Sequence, residues 1–122
     1  MSKLYICVLE TFPDYMTPTL VAHAVLGYHC QIAEDRTLEW GEDHYDYYLD
    51  WLYNSFKKVV VRVNQKEYNK IKTLDGFYVK EFCENKTNNG ELFSCVVLVP
   101  ELVETPNVLK YAKLWNVNKE AK

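Results

Sequence analysis

The sequence predicts a single α/β domain over residues 1–122, with a four-stranded mixed sheet and helices on both faces, in the order β-α-α-β-α-β-β-α. Three observations predict it. Strand-like runs KLYICVLE and KKVVVRVN flank an apolar helical stretch, which makes a βαβ unit with a right-handed crossover and parallel first and second strands. Two more β-rich runs, Phe77 to Cys83 and Leu92 to Val99, are joined by a short polar segment, which makes an antiparallel hairpin. A length of 122 residues suits one core, not two.

The chain is organised around Thr17 to Ala33, TPTLVAHAVLGYHCQIA, in which ten of seventeen residues are apolar. It is too short, and too broken by His23, Gly27 and His29, to cross a bilayer. Thr17 is a suitable N-cap, and Pro18 at the first helical position gives up only an N–H that has no partner there. With so little polar face, this crossover helix is expected to be covered nearly all round.

The remaining elements follow in order. Leu4 to Leu9 is continuously apolar, as a central strand is. Thr11 to Met16 is the strand-to-helix loop, where open α/β sheets bind ligands. Residues 34 to 55 carry seven acids against Arg36 alone, and from Asp43 the pattern is helical. Tyr45, Tyr48, Leu49, Leu52 and Phe56 form one face of that helix; Tyr47 and Trp51 form a second, which predicts a homodimer or higher oligomer. Lys57 to Asn64 is the second strand. Asn64 then caps a helix over Gln65 to Leu74, with Glu67 as its capping-box partner. Lys57, Lys58, Arg62, Lys66, Lys70 and Lys72 make this stretch basic, either a solvated face or an anion-attracting patch. Asn88-Asn89-Gly90 is turn chemistry, although its amides also suit a base edge or a sugar. A last helix is expected over Thr105 to Trp115, and 116–122 as a frayed tail.

Composition narrows the function classes. A net charge of −3 gives no global attraction to nucleic acid. Met1-Ser2-Lys3 runs straight into a strand with no signal-peptide pattern, and no segment is a membrane span, so a cytoplasmic protein is expected. Cys7, Cys30, Cys83 and Cys95 show no C-x-x-C spacing and read as free thiols; neither a metal nor a cofactor is expected.

The element order resembles the class II (archaeal and eukaryotic type) peptidyl-tRNA hydrolase fold over residues 3 to 115. The likeness lies in KLYICVLE followed by a helix with Val21-Ala22-His23-Ala24, in KKVVVRVN followed by an acid-capped helix, and in SCVVLVPE with Lys113-Leu114-Trp115 after it. The family's catalytic pattern does not carry over. Its Gly-Lys-x-Ala-Ala-Gln run, aligned through His23-Ala24, puts Met16 at the lysine and Leu20 at the glutamine. Its Asp-Ala-Gly-Arg-Thr-Gln loop corresponds to a shortened Glu84-Asn85-Lys86-Thr87-Asn88, with Lys86 for the arginine, Thr87 for the threonine and Glu84 near the aspartate; Ser94 falls on a strand-four threonine. Ester cleavage needs a group to activate water and a positive charge at the developing oxyanion, and methionine supplies neither. Losing such a cation costs roughly a thousandfold in rate.

The expected site is therefore a binding site, formed by Phe82, Asn85, Lys86, Thr87, Asn88, Asn89, Met16 and His23, which can stack a purine and hydrogen-bond a ribose or phosphate. In size, in Phe82 and in the Asn-rich loop the chain looks like the phage anti-Thoeris sponge family. That resemblance implies a non-catalytic protein sequestering a cyclic ADP-ribose isomer made by TIR-domain enzymes. The alternative is a divergent peptidyl-tRNA hydrolase, with tRNA as its nucleic-acid partner.

Overall fold

A computed structural model of the chain describes residues 1–35, 41–83 and 92–115. Its sheet has five strands rather than four, in the order β3-β4-β1-β2-β5. Strand β1 (Lys3–Leu9) lies at the centre, parallel to β2 (Lys57–Val63) and antiparallel to β4 (Leu92–Val99); β3 (Val79–Cys83) pairs antiparallel with β4. The parallel pair and the hairpin are as the sequence predicts.

The fifth strand corrects the expected last helix. Helix α4 covers only Asn107–Lys110, and the chain then extends as β5 (Lys113–Leu114) along β2. The outer edge of β2 would otherwise present unpaired backbone groups, and β5 satisfies part of it, with the Trp115 N–H donating to Val60 O at 2.9 Å.

The sheet separates two apolar layers. Leu4, Ile6 and Val8 of β1 face α1 (Thr17–Asp35) and α2 (Gly41–Asp50), together with Val96 and Leu98. Tyr5, Cys7 and Leu9 face the other way, against Tyr68 and Ile71 of α3 (Gln65–Lys72) and Leu109 of α4. This is the period-two alternation of a strand buried on both sides. Strand β3 and the residues before it alternate between the layers: Tyr78 and Phe82 join the α1 layer, Phe77 and Val79 the α3 layer.

Three local expectations are revised. The crossover helix is not covered all round. Leu20, Ala24, Tyr28 and Ile32 form a buried stripe at the i, i+4 spacing where the sheet and α2 lie against the helix, while Leu26, on the other side, is 66 % exposed. Thr17 is not an N-cap: a 3₁₀ turn over Asp14–Met16 runs directly into α1, and Thr17 is already helical at φ −54°, ψ −48°. Trp51 does not belong to an outward stripe. It is 1 % exposed and donates its indole N–H to Lys57 O at 2.7 Å. After Asp50 the helix widens into a π-turn (Trp51–Ser55), which ends at Phe56 in the left-handed region, φ 52°. The capping box at Asn64 forms as predicted, with Asn64 Oδ1 accepting from the Glu67 N–H at 2.8 Å and Glu67 Oε1 from the Asn64 N–H at 2.9 Å.

Candidate functional site

The candidate site lies where β1 and β2 end. From β1 the chain crosses to α1 on one face; from β2 it crosses to α3 on the other. Such a divergence at the carboxyl ends of parallel strands opens a crevice, and ligands of open α/β sheets bind there. The last residues of β3 and the first of β4 lie at the same end, because β4 runs antiparallel to β1 with Val8 opposite Ser94 and Phe82 opposite Ser94.

Register aligns one row of side chains across this end. Phe82 pairs with Ser94, Ser94 with Val8, Val8 with Arg62, and Arg62 with Lys113. Phe82 and Val8 pack in the α1 layer, and Arg62 reaches Thr17 of α1. Arg62 organises the loop above the row. Its Nη1 donates to Thr17 Oγ1 at 2.8 Å, and its Nη2 donates to the carbonyls of Glu10 at 3.1 Å and Phe12 at 2.8 Å. Its side chain is only 13 % exposed. A cation beside the first turn of a helix opposes the helix dipole, so these oxygens, with the Asp14 carboxylate 3.7 Å from Nη1, supply the compensation. Asp14 is itself held from the far edge of the sheet, where Trp115 Nε1 donates to Asp14 Oδ1 at 2.7 Å.

The sequence-predicted residues divide into three groups. Phe82 is half-buried, and its ring lies against Gly27: a Cβ built on Gly27 would stand 2.5 Å from Phe82 Cε1 and 2.8 Å from Cδ1. Met16 is half-buried and packs against the α1-side core. His23, also half-buried, lies two turns further along α1. Asn85, Lys86, Thr87, Asn88 and Asn89 lie outside the described residues. Beside Met16, Tyr15 exposes 82 % of its surface.

Arg62, Asp14 and Trp115 were not singled out from the sequence. In sequence Arg62 reads as one member of a basic stretch, yet a lone arginine inside the valine run of KKVVVRV is the signal that marks it. The rest of that stretch separates from it: Lys66, Lys70 and Lys72 are exposed on α3. Lys58 is used locally, with its Nζ 3.3 Å from the Phe56 ring centroid and donating to Phe56 O at 2.8 Å.

The other polar clusters serve the core. Tyr28 donates to Tyr78 O at 2.8 Å and Tyr68 to Ser94 O at 3.1 Å. Burial raises the pKa of both phenols well above the ordinary value, helped by Tyr78 near Tyr28 and by Cys95 and Glu81 near Tyr68. The Cys95 thiol is likewise raised, first by its hydrogen bond with Cys7 and then by burial, so neither chemistry nor metal capture is favoured there. Among the described residues no group of three or more His, Cys, Asp or Glu is arranged to hold a metal ion, and no helix is long and apolar enough to cross a membrane. No protein-family model and no curated protein sequence matches this chain.

Proposed function

We propose that this chain is a non-catalytic binding protein that sequesters a nucleotide-type signal, a cyclic ADP-ribose isomer made by TIR-domain enzymes, in the manner of a phage anti-Thoeris sponge. The observation that carries the reading is Met16. Where the peptidyl-tRNA hydrolase resemblance calls for a lysine, the chain has a thioether packed into the apolar layer under α1. A site without that cation retains the means to bind but lacks the charge that ester cleavage requires. The divergence of β1 and β2 to opposite layers, and the exposed Tyr15 ring in the turn that follows β1, favour a flat ligand that can stack. Lys86 and the Asn-rich loop would supply the polar contacts.

A peptidyl-tRNA hydrolase is the second reading, favoured by the exposed lysines 66, 70 and 72 on α3, which would suit a phosphate backbone. Assembly into dimers or larger oligomers is also proposed, now through the exposed side of α1 around Leu26 instead of Trp51; Leu26→Glu should shift sedimentation toward the monomer if that side is the interface.

One experiment separates the two main readings. The protein is incubated with cyclic ADP-ribose isomers, passed through a desalting column and heated, and the released small molecule is identified; a parallel reaction follows peptidyl-tRNA turnover. Retention and intact release, without turnover, is the expected result. Steady peptidyl-tRNA turnover with no retained nucleotide would overturn it.

A further inference from the structure

At the opposite end of the sheet from the candidate site, a cavity of about 260 Å³ opens between Ser2, Tyr47, Asp50 and the segment Pro100–Val103. Its position follows from the fold. Ser2 precedes β1, Pro100 follows β4, and Tyr47 and Asp50 come from α2, so the cavity lies where α2 crosses the sheet end. A turn closed by the Val103 N–H on Pro100 O at 3.1 Å holds Leu102 outward. Leu102 is 95 % exposed, and Val103 and Tyr47 are 42 % and 43 % exposed. Three apolar or aromatic side chains thus stand uncovered around one opening.

The charged side chains lining that opening are both acidic, and the Met1 amino group stands beside one of them. The lining side chains include the carboxylates of Asp50 and Glu101 and no cationic side chain. Asp50 is bound by neutral donors only, Ser2 Oγ at 3.3 Å and Asn54 Nδ2 at 2.8 Å. A carboxylate has about four acceptor positions, so Asp50 has room for another donor. Glu101 stands 3.4 Å from the Met1 amino group, so one ammonium is already accommodated at the rim.

We infer that this cavity is a binding site for a small amphipathic amine, a primary ammonium carried on an apolar stem of about six carbons. The stem fits between Tyr47, Leu102 and Val103, and the ammonium meets Asp50 and the outer edge of Glu101. The volume sets the size class, being below the range of about 300–1,000 Å³ that accepts drug-sized ligands. The charge sets the polarity: an anion of the same shape would meet the Asp50 carboxylate, which has no cation beside it among the described residues, whereas Glu101 is already paired with the Met1 amino group. Eight or so heavy atoms support a dissociation constant on the order of 1 mM.

The inference is independent of the nucleotide reading and is tested without it. The full chain, isotopically labelled, is titrated with n-hexylamine, 1-hexanol and hexanoate while its amide resonances are followed. Hexylamine is expected to shift Ser2, Asp50 and Glu101 to Val103 saturably; hexanol should do so more weakly and hexanoate not at all. Asp50→Asn with Glu101→Gln should weaken hexylamine by about two- to fivefold, to the level of hexanol, with melting temperature and hexanol binding unchanged. Leu102→Ser should weaken both. Hexanoate binding as tightly as hexylamine, saturable shifts confined to other regions, or no saturable shift up to about ten times the expected dissociation constant would overturn the proposal.

Discussion

Trp115 donates its indole N–H to Asp14 across 101 positions of sequence, at 2.7 Å. The contact ties the end of the described chain to the 3₁₀ turn that leads into the crossover helix, and Arg62 completes the tie through Asp14 and Thr17. The β1–α1 loop, on which the candidate site depends, is therefore held in place by two strands at once.

Replacing Arg62 tests that arrangement. Arg62→Lys keeps the charge but loses the planar fork that serves Thr17, Glu10 and Phe12 together. The Glu10 carbonyl can turn to water, but Thr17 Oγ1 and the Phe12 carbonyl are part-buried, and leaving them without a donor costs about 1–3 kcal/mol each. The expected result is a loss of about 2–4 kcal/mol in urea unfolding for Arg62→Lys, nearly as large as for Arg62→Met. Trp115→Phe should cost less, about 0.5–1.5 kcal/mol, since Asp14 is half-exposed and water can replace the indole. Equal stability of Arg62→Lys and the parent would show that charge alone suffices.

Gly27 and Phe82 give a prediction that reverses sign with background. Alanine is the better helix former by about 1 kcal/mol, but its methyl would enter the Phe82 ring at 2.5 Å. Overpacking typically costs about 1–3 kcal/mol. Gly27→Ala should therefore lower the melting temperature of the parent and raise that of a Phe82→Ala variant. The same pair bears on the ligand: if Phe82 also stacks a base, Phe82→Ala should weaken nucleotide retention by roughly tenfold to a hundredfold in the folded protein.

The cap at Asn64 offers a simpler check. Asn64→Ala removes the acceptor for the Glu67 N–H and half of a reciprocal pair. A loss of about 1 kcal/mol is expected, with hydrogen-exchange protection falling first in α3.

The parts of the fold that could be read from sequence are those in which local pattern and tertiary demand agree. The alternation in KKVVVRV, the capping box at Asn64 and the split of Tyr78 and Phe82 from Phe77 and Val79 all depend on period-two or first-turn rules, and all hold. The misreadings lie where tertiary contacts override the local pattern. Lys113-Leu114 suits a helix end, but an unpaired β2 edge draws it into a strand. Trp51 stands three residues after the buried Tyr48, an i, i+3 relation that puts both on the core side of the helix, and the π-turn begins at that position. At the site, Met16 and Phe82 were identifiable as residues near the strand ends, whereas the Arg62–Asp14–Trp115 tie joins three distant segments and has no local signature.

The buried tyrosines predict how stability varies with pH. Burial, with a smaller contribution from Cys30, raises the Tyr48 phenol from 10.0 to about 12, and Tyr28 and Tyr68 are raised as well. In the unfolded chain these phenols release their protons near pH 10. Between pH 10 and about 12 the unfolded state thus binds fewer protons than the folded state, and the free energy of unfolding must fall as pH rises. Each unit of difference is worth about 1.4 kcal/mol per group, so three such groups acting together should make the loss steep. Melting temperature is expected to be flat with respect to these groups up to about pH 9 and to drop sharply above pH 10. Phenolate absorbance provides the second measurement: ionisation of Tyr28, Tyr48 and Tyr68 should be delayed above pH 10 and should rise together with the loss of folded structure. Replacing Tyr48 by Phe removes its ionisation and should flatten the alkaline limb, at the cost of the 2.8 Å hydrogen bond with His29 Nδ1. An alkaline limb that stays as steep in Tyr48→Phe would assign the loss to Tyr28 and Tyr68 alone.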